Sequence, residues 1–212
     1  MTTQIKICGL STPETVNAAI AAEASHIGLN FYPPSPRFVS EDLVAQLAAI
    51  AGDRVLKVGV FVDPDNAFLG DHVKAGAMDA IQLHGKETPD RVRDVKARFG
   101  LPVWKVLSVE TAEDVAGASD YEDVADFLLF DTKTPKGTLP GGMGLGFDWS
   151  LLEHYDGALP WGLAGGLTPD NVADAIRKTG AALVDTSSGV ETAPGVKDVD
   201  LIAAFCKAAR GA

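Results

Sequence analysis

The residues with the most chemical content in this chain stand where short apolar runs end. Cys8 lies in Lys6-Ile-Cys-Gly-Leu10, Arg37 closes Asn30-Phe-Tyr-Pro-Pro-Ser-Pro-Arg37, His84 lies in Gln82-Leu-His-Gly85, and Asp131 lies in Leu128-Leu-Phe-Asp-Thr-Lys133. Together they offer a thiol, a guanidinium, an imidazole and a carboxylic acid. Two later stretches, Trp161-Gly-Leu-Ala-Gly-Gly166 and Leu183-Val-Asp-Thr-Ser-Ser-Gly189, end in small-residue turns. Such turns expose backbone N–H groups, and two side by side can hold a phosphate dianion. They stand about twenty residues apart, the length of one βα repeat. The substrate class this predicts is a small phosphorylated metabolite. No His and carboxylate set has metal-ligand spacing and no dinucleotide fingerprint occurs, so neither metal nor cofactor is expected.

Something must bring these residues together, and the pattern of elements says what. Strands are predicted at Gln4–Cys8, His26–Phe31, Val55–Val62, Ala80–Leu83, Val103–Leu107, Ala125–Phe130, Leu159–Ala164 and Ala182–Asp185. Between them lie helical spacings with recognisable starts: Thr12-Pro13 before Glu14–Ala24, Ser40 before Glu41–Ile50, Thr88-Pro89 before Asp90–Phe99, and Thr168-Pro169 before Asp170–Lys178. Asp198–Ala209 carries an apolar stripe at Leu201, Ile202 and Phe205. Eight strand–helix units in 212 residues give about 26 residues each, near the minimum for a (βα)8 TIM barrel. An open doubly wound sheet is the competing architecture. The count of eight, the lack of a linker, and charged or small residues within strands favour closure over residues 1–212 as one domain. In such a barrel the active site is at the carboxyl ends of the strands.

Composition narrows the partners. The chain is 46% hydrophobic, enough for one substantial core, and its formal net charge of −11 argues against nucleic acid and against an anionic membrane surface. An anionic substrate must therefore be drawn to a locally positive site. No apolar run approaches the roughly 18 residues of a membrane span, and Met1-Thr-Thr-Gln4 does not read as a signal peptide. Cys8 and Cys206 are too few and too far apart to suggest a disulfide scaffold, so a reduced, cytoplasmic protein is expected, as a monomer or homodimer.

The residues quoted above, with Gly144-Leu-Gly-Phe-Asp-Trp149, Leu163-Ala-Gly-Gly-Leu-Thr-Pro-Asp-Asn171 and Asp185-Thr-Ser-Ser-Gly-Val-Glu191, resemble phosphoribosylanthranilate isomerase. Seven motifs from Lys6 to Glu191 follow the family's order. The resemblance implies an Amadori rearrangement in tryptophan biosynthesis, without metal or cofactor. It also implies Cys8 as general base and Asp131 as general acid. The base must act as thiolate and the acid start neutral. Strand alternation places Lys6 on the face of Cys8, where an ammonium would favour the thiolate, while Phe127-Leu-Leu-Phe130 would desolvate Asp131.

Arg37 suits the anthranilate carboxylate, presented by a loop stiffened by Pro33, Pro34 and Pro36. Gln82 and His84 are expected to line the cavity. Gly165, Gly166, Ser187, Ser188 and Gly189 are expected to hold phosphate, and Asp185 to meet a sugar hydroxyl or brace its turn. Five glycines between Gly137 and Gly146 mark a mobile or backbone-contacting loop, from which the amides of Gly142 and Gly144 are available to phosphate. Met143 stands there in place of the family's small hydroxyl residue, and Thr186 in place of an apolar one.

Each residue alone has an ordinary reading: a core thiol, a turn aspartate, a surface arginine, a helix-capping serine. The charge clusters Glu110–Asp114 and Asp120–Asp126 read as solvated faces. Two rivals remain. A histidine-pathway sugar isomerase would carry an aspartate in place of Cys8 and a second phosphate turn. A non-catalytic phospho-ligand-binding barrel would tolerate loss of Cys8 and Asp131.

Overall fold

The computed structural model describes residues 3–135 and 144–212. Within them, β1 (Gln4–Cys8), β2 (His26–Asn30), β3 (Leu56–Phe61), β4 (Ala80–Leu83), β5 (Val103–Val109), β6 (Phe127–Thr132), β7 (Trp161–Leu163) and β8 (Leu183–Thr186) pair in chain order, all parallel. Pairing of β8 with β1, Lys6 opposite Asp185, closes the cylinder. The open-sheet alternative is thereby excluded. No helix among the described residues is long and apolar enough to cross a membrane.

Period-two alternation then sorts side chains between two apolar layers. Ile5, Ile7, Leu128, Phe130 and Val184 point outward into the layer under the helices. Val58, Ala80, Trp104, Phe127, Leu129 and Leu183 point inward and fill the lower interior. Trp104 packs on Phe127 with ring centroids 4.7 Å apart, which blocks the cylinder beneath the site. Toward the carboxyl ends the inward positions include the polar Cys8, Gln82, Asp131 and Asp185 beside the apolar Val60.

The helices begin where short polar side chains can accept an orphan N–H. Thr12, Ser40, Thr88 and Asp198 cap α1 (Pro13–Ala21), α2 (Glu41–Ala51), α4 (Pro89–Phe99) and α7 (Val199–Arg210). Asp65 does the same for α3 (Asn66–Ala75), a helix the sequence reading did not single out, and Thr111 for the short α5 (Ala112–Ala116). The predicted start at Asp170 falls two residues early. Asn171 folds back, its Oδ1 accepting from the Thr168 N–H, and α6 runs Val172–Thr179. The expectation of a helix after every strand also needs correction. Trp149–His154, between β6 and β7, is a 3₁₀ turn, and β8 leads into a 3₁₀ turn (Ser188–Val190) and a small hairpin of β9 (Glu191–Ala193) and β10 (Val196–Lys197) before α7. That hairpin returns the chain to the rim of the site.

One buried residue below the site links the interior to pH. His26 is 4% exposed, lies edge-on to Trp104 at 5.2 Å, and has Nδ1 2.9 Å from the Ser25 hydroxyl. Burial, and then the charge of Lys6, lower its pKa from 6.5 to about 4 against an opposing effect of Asp79. The folded protein therefore keeps this ring neutral while the unfolded chain takes up a proton below pH 6.5. Stability should fall as pH drops from 6.5 toward 4, by on the order of 3 kcal/mol in full. Urea unfolding midpoints measured across that range should show a slope that His26→Gln flattens.

Candidate active site

A cavity of about 820 Å³, counting the space at its open mouth, lies at the carboxyl ends of the strands. Cys8, Arg37, Gln82, His84, Asp131, Gly144, Gly165, Gly166, Asp185, Ser187, Ser188 and Gly189 all line it. Twelve of the thirteen residues predicted from sequence thus share one concavity. Gly142, like Met143, lies outside the described residues.

The thiol side is built on the seam between β1, β2 and β8. Lys6 is fully buried and its Nζ donates to Asp185 Oδ2 at 2.8 Å. Gly28 on β2 leaves room for both. A Cβ there would come within 2.7 Å of Cys8 Sγ and 3.2 Å of Lys6 Nζ. Gly28→Ala should therefore displace the thiol, and steady-state kinetics should show kcat reduced about tenfold or more with KM changed less. An unchanged kcat would mean the thiol's position is not critical.

Lys6 does favour the Cys8 thiolate, as expected, but burial outweighs it. Burial raises the Cys8 pKa above 9.0; Lys6 lowers it, Asp185 raises it and Lys197 lowers it, and burial prevails. Burial is the main cause, and Asp185, a partner of Lys6 that the sequence does not reveal, opposes the lysine's effect. Lys6 itself is raised above 10.5, because the charges of Asp185 and Cys8 outweigh the effect of burial. Burial also holds the Asp185 carboxyl above its usual range, with Lys6 opposing. Among the described residues the side-chain partner of Asp185 is Lys6 rather than its own turn.

Asp131 stands on β6, three strands from β1 around the closed order, and so faces Cys8 across the cavity. Its Oδ1 accepts from the Thr132 N–H at 2.7 Å, and its Oδ2 is 3.3 Å from His84 Nε2. These contacts fix the carboxyl plane. Gln82 is 1% exposed, and its Oε1 and Asp185 Oδ1 are buried acceptors with no donor among the described residues.

The glycine-serine turns meet along the β7–β8 wall. The N–H groups of Gly165 and Gly166 donate to no acceptor among the described residues. Gly165 has φ +85°, and a Cβ there would lie 2.2 Å from Thr132 Oγ1 and 3.0 Å from Asp131 Oδ1. Gly189 is held by packing: a Cβ would meet the Leu167 carbonyl oxygen at 1.9 Å, so the two turns touch only because it has none. Ser187 Oγ accepts from Lys197 Nζ at 3.1 Å, and Gly144 (φ +69°) places a hypothetical Cβ 3.8 Å from Ser188 Oγ.

Arg37 lines the cavity yet is not simply a donor awaiting a ligand. Its Nε and Nη2 grip Glu191 Oε1 and Oε2 at 2.7 and 2.6 Å. Lys197 Nζ donates to the same Glu191 Oε1 at 2.6 Å and to the Ser187 carbonyl at 2.8 Å. Burial would raise the Glu191 pKa, but Arg37 and Lys197 together hold it below the usual range. Sequence alone gives neither Glu191 nor Lys197 a role; the available signal is the Asp198 cap directly after the short strand that carries Lys197.

With this geometry established, comparison gives three results. The family model described as N-(5'phosphoribosyl)anthranilate (PRA) isomerase matches residues 5–208. A Paramagnetospirillum magneticum protein named N-(5'-phosphoribosyl)anthranilate isomerase is 54% identical over 212 residues, covering 100% of this chain and 99% of its own. Among solved structures, phosphoribosyl anthranilate isomerase from Thermotoga maritima superposes with a TM-score of 0.90 at 35% identity, covering all of both chains. Another, of phosphoribosyl anthranilate isomerase in complex with reduced 1-(o-carboxyphenylamino)-1-deoxyribulose 5-phosphate, gives a TM-score of 0.85 at 32% identity, again over all of both chains.

Proposed function

From the premise that this chain belongs to the N-(5'-phosphoribosyl)anthranilate isomerase family, we propose how its own residues carry out the rearrangement. The protein is an isomerase of tryptophan biosynthesis; it converts N-(5-phosphoribosyl)anthranilate to 1-(2-carboxyphenylamino)-1-deoxyribulose 5-phosphate. The observation that carries the division of roles is the facing of Cys8 and Asp131 across one cavity beside the Gly165-Gly166 amides.

In this reading the phosphate sits on the turns after β7 and β8, and Arg37 meets the anthranilate carboxylate. Asp131 gives its proton to the furanose ring oxygen. The bond from C1′ to that oxygen breaks as the anthranilate nitrogen forms a double bond to C1′. Cys8 thiolate then takes the proton from C2′, and the electron pair left behind forms the C1′–C2′ double bond while neutralising the nitrogen. The enol so formed becomes the ketone as C1′ gains a proton and the C2′ hydroxyl gives one up, and return of a proton from Cys8 to Asp131 resets the pair. No proton is gained or lost overall. The buried acceptors Gln82 Oε1 and Asp185 Oδ1 suit sugar hydroxyl donors, which would satisfy both.

A raised thiol pKa fits the role of base. A thiolate of high basicity abstracts a carbon-bound proton well, at the cost of being the minor form. A cytoplasmic location goes with this reading, supported by the free cysteines Cys8 and Cys206. The test is consumption of freshly generated phosphoribosylanthranilate, followed by its fluorescence. Loss of signal at a catalytic rate is expected, and none from the folded protein would overturn the assignment. The histidine-pathway rival is tested in parallel with its bis-phosphorylated substrate, on which no turnover is expected.

A further inference from the structure

Lys197 lies behind the cavity wall, its side chain 1% exposed, on a two-residue strand that belongs to no barrel repeat. It is not among the lining residues. Its ammonium nonetheless touches two elements of the site. It holds the Ser187 carbonyl and hydroxyl at 2.8 and 3.1 Å, and Glu191, which in turn holds Arg37. Ser187 Oγ and Arg37 Cδ come within 3.2 and 2.5 Å of where a Cβ on Gly9 would be, so this cluster is pressed against the residue next to Cys8.

Lys6 is paired with Asp185, whereas Lys197 shares the Glu191 carboxylate with Arg37 and also holds Ser187. We propose that Lys197 is a positioning residue for the isomerisation: it sets Arg37 through Glu191, and its ammonium adds to that of Lys6 in favouring the Cys8 thiolate. The inference rests on the isomerase reading above.

The charged and titratable groups around the sulfur are few. Lys6 stands on its own strand, His26 on β2, Arg37 on the loop after β2, Asp185 on β8 and Lys197 on β10. His84 and Asp131 face it across the cavity. Two lysines lower the Cys8 pKa, Lys6 first and then Lys197. Burial lowers the pKa of Lys197 from 10.5, and Glu191 holds the ammonium against that effect. Cys8 and Asp131 share one proton in the productive form, thiolate with neutral acid. That form is a tautomer of thiol with carboxylate, so its fraction falls by the factor that the thiol's acidity falls.

The experiment is alkylation of Cys8 by iodoacetamide as a function of pH, with the modified cysteine located by mass spectrometry. Cys206 serves as internal control, because it is fully buried and burial pushes its pKa to about 11. Lys197→Met should move the Cys8 midpoint to higher pH by about one unit and lower kcat/KM about tenfold. Lys197→Arg should leave the midpoint near that of the wild type. Lys197→Gln keeps an amide donor for Ser187 without the charge and carries the test should the Met variant not fold.

A folded neutral variant whose Cys8 titration superimposes on the wild type would overturn the proposal, whatever its KM. Because alkylation needs no turnover, the two readings fail separately. A wild type that does not consume phosphoribosylanthranilate overturns the function. An active wild type with no shift in the variants overturns the role of Lys197.

Discussion

Cys8→Ala should lower kcat by about 10²- to 10⁴-fold while KM stays within a small factor of the wild type. The sulfur is assigned one task, removal of the C2′ proton, and it makes no contact that binding of phosphate or carboxylate requires. Loss of a group that acts only in the transition state lowers kcat and kcat/KM together. Cys8→Ser is the more telling variant, since its hydroxyl fits the space Gly28 leaves but cannot become an anion near neutral pH. Substrate deuterated at C2′ sharpens the measurement. With proton removal made slower, the isotope effect on kcat should rise toward its intrinsic value in Cys8→Ser. A variant with unaltered kcat would remove Cys8 from the mechanism and leave the phospho-ligand-binding barrel as the better description.

Asp131→Asn should be as damaging, by about 10²- to 10⁴-fold in kcat, through a different step. The amide is nearly isosteric and can still accept from the Thr132 N–H, so the fold around β6 should hold. What it cannot do is deliver a proton to the ring oxygen. Ring opening then limits the rate, and the C2′ isotope effect should shrink rather than grow. The two variants are thus told apart by the direction of that change. Equal isotope effects in both would mean that the acid and base have been assigned to the wrong steps. His84, 3.3 Å from the carboxyl, is placed to orient it, so His84→Ala should cost less than either.

How far the sequence reached depended on whether the cause was local. β1 and β4 were predicted to the residue, because their apolar alternation stops abruptly at Gly9 and His84. β6 was placed two residues early. Val124 and Ala125 extend the apolar run, but Asp126 turns aside, its carboxylate accepting from the Val103 N–H and pairing with Lys96, and the strand begins at Phe127. The shift matters, since it puts Asp131 within the strand rather than after it.

α3 escaped notice because Gly70 and the polar Asp71, His72 and Lys74 interrupt its stripe. Its His72 is buried against Phe68 and Phe31 instead of facing water. The site residues were legible as a set, since each stands at a strand end or in the loop that follows one. Their electrical partners were not: Asp185 reaches Lys6 across 179 positions and Glu191 reaches Arg37 across 154. No periodicity encodes pairs so far apart. Hence Lys6 was found as the thiol's neighbour, while the burial that outweighs it and the Asp185 that opposes it were not.

The join between β1 and β8 has a consequence for how this protein comes into being. The sulfur and Lys6 stand on β1, whereas Asp185, the counter-ion of Lys6, stands on β8 and Lys197 beyond it. The thiol's surroundings are therefore complete only once the first and eighth strands pair, and a chain halted after its seventh strand would leave Lys6 without that counter-ion.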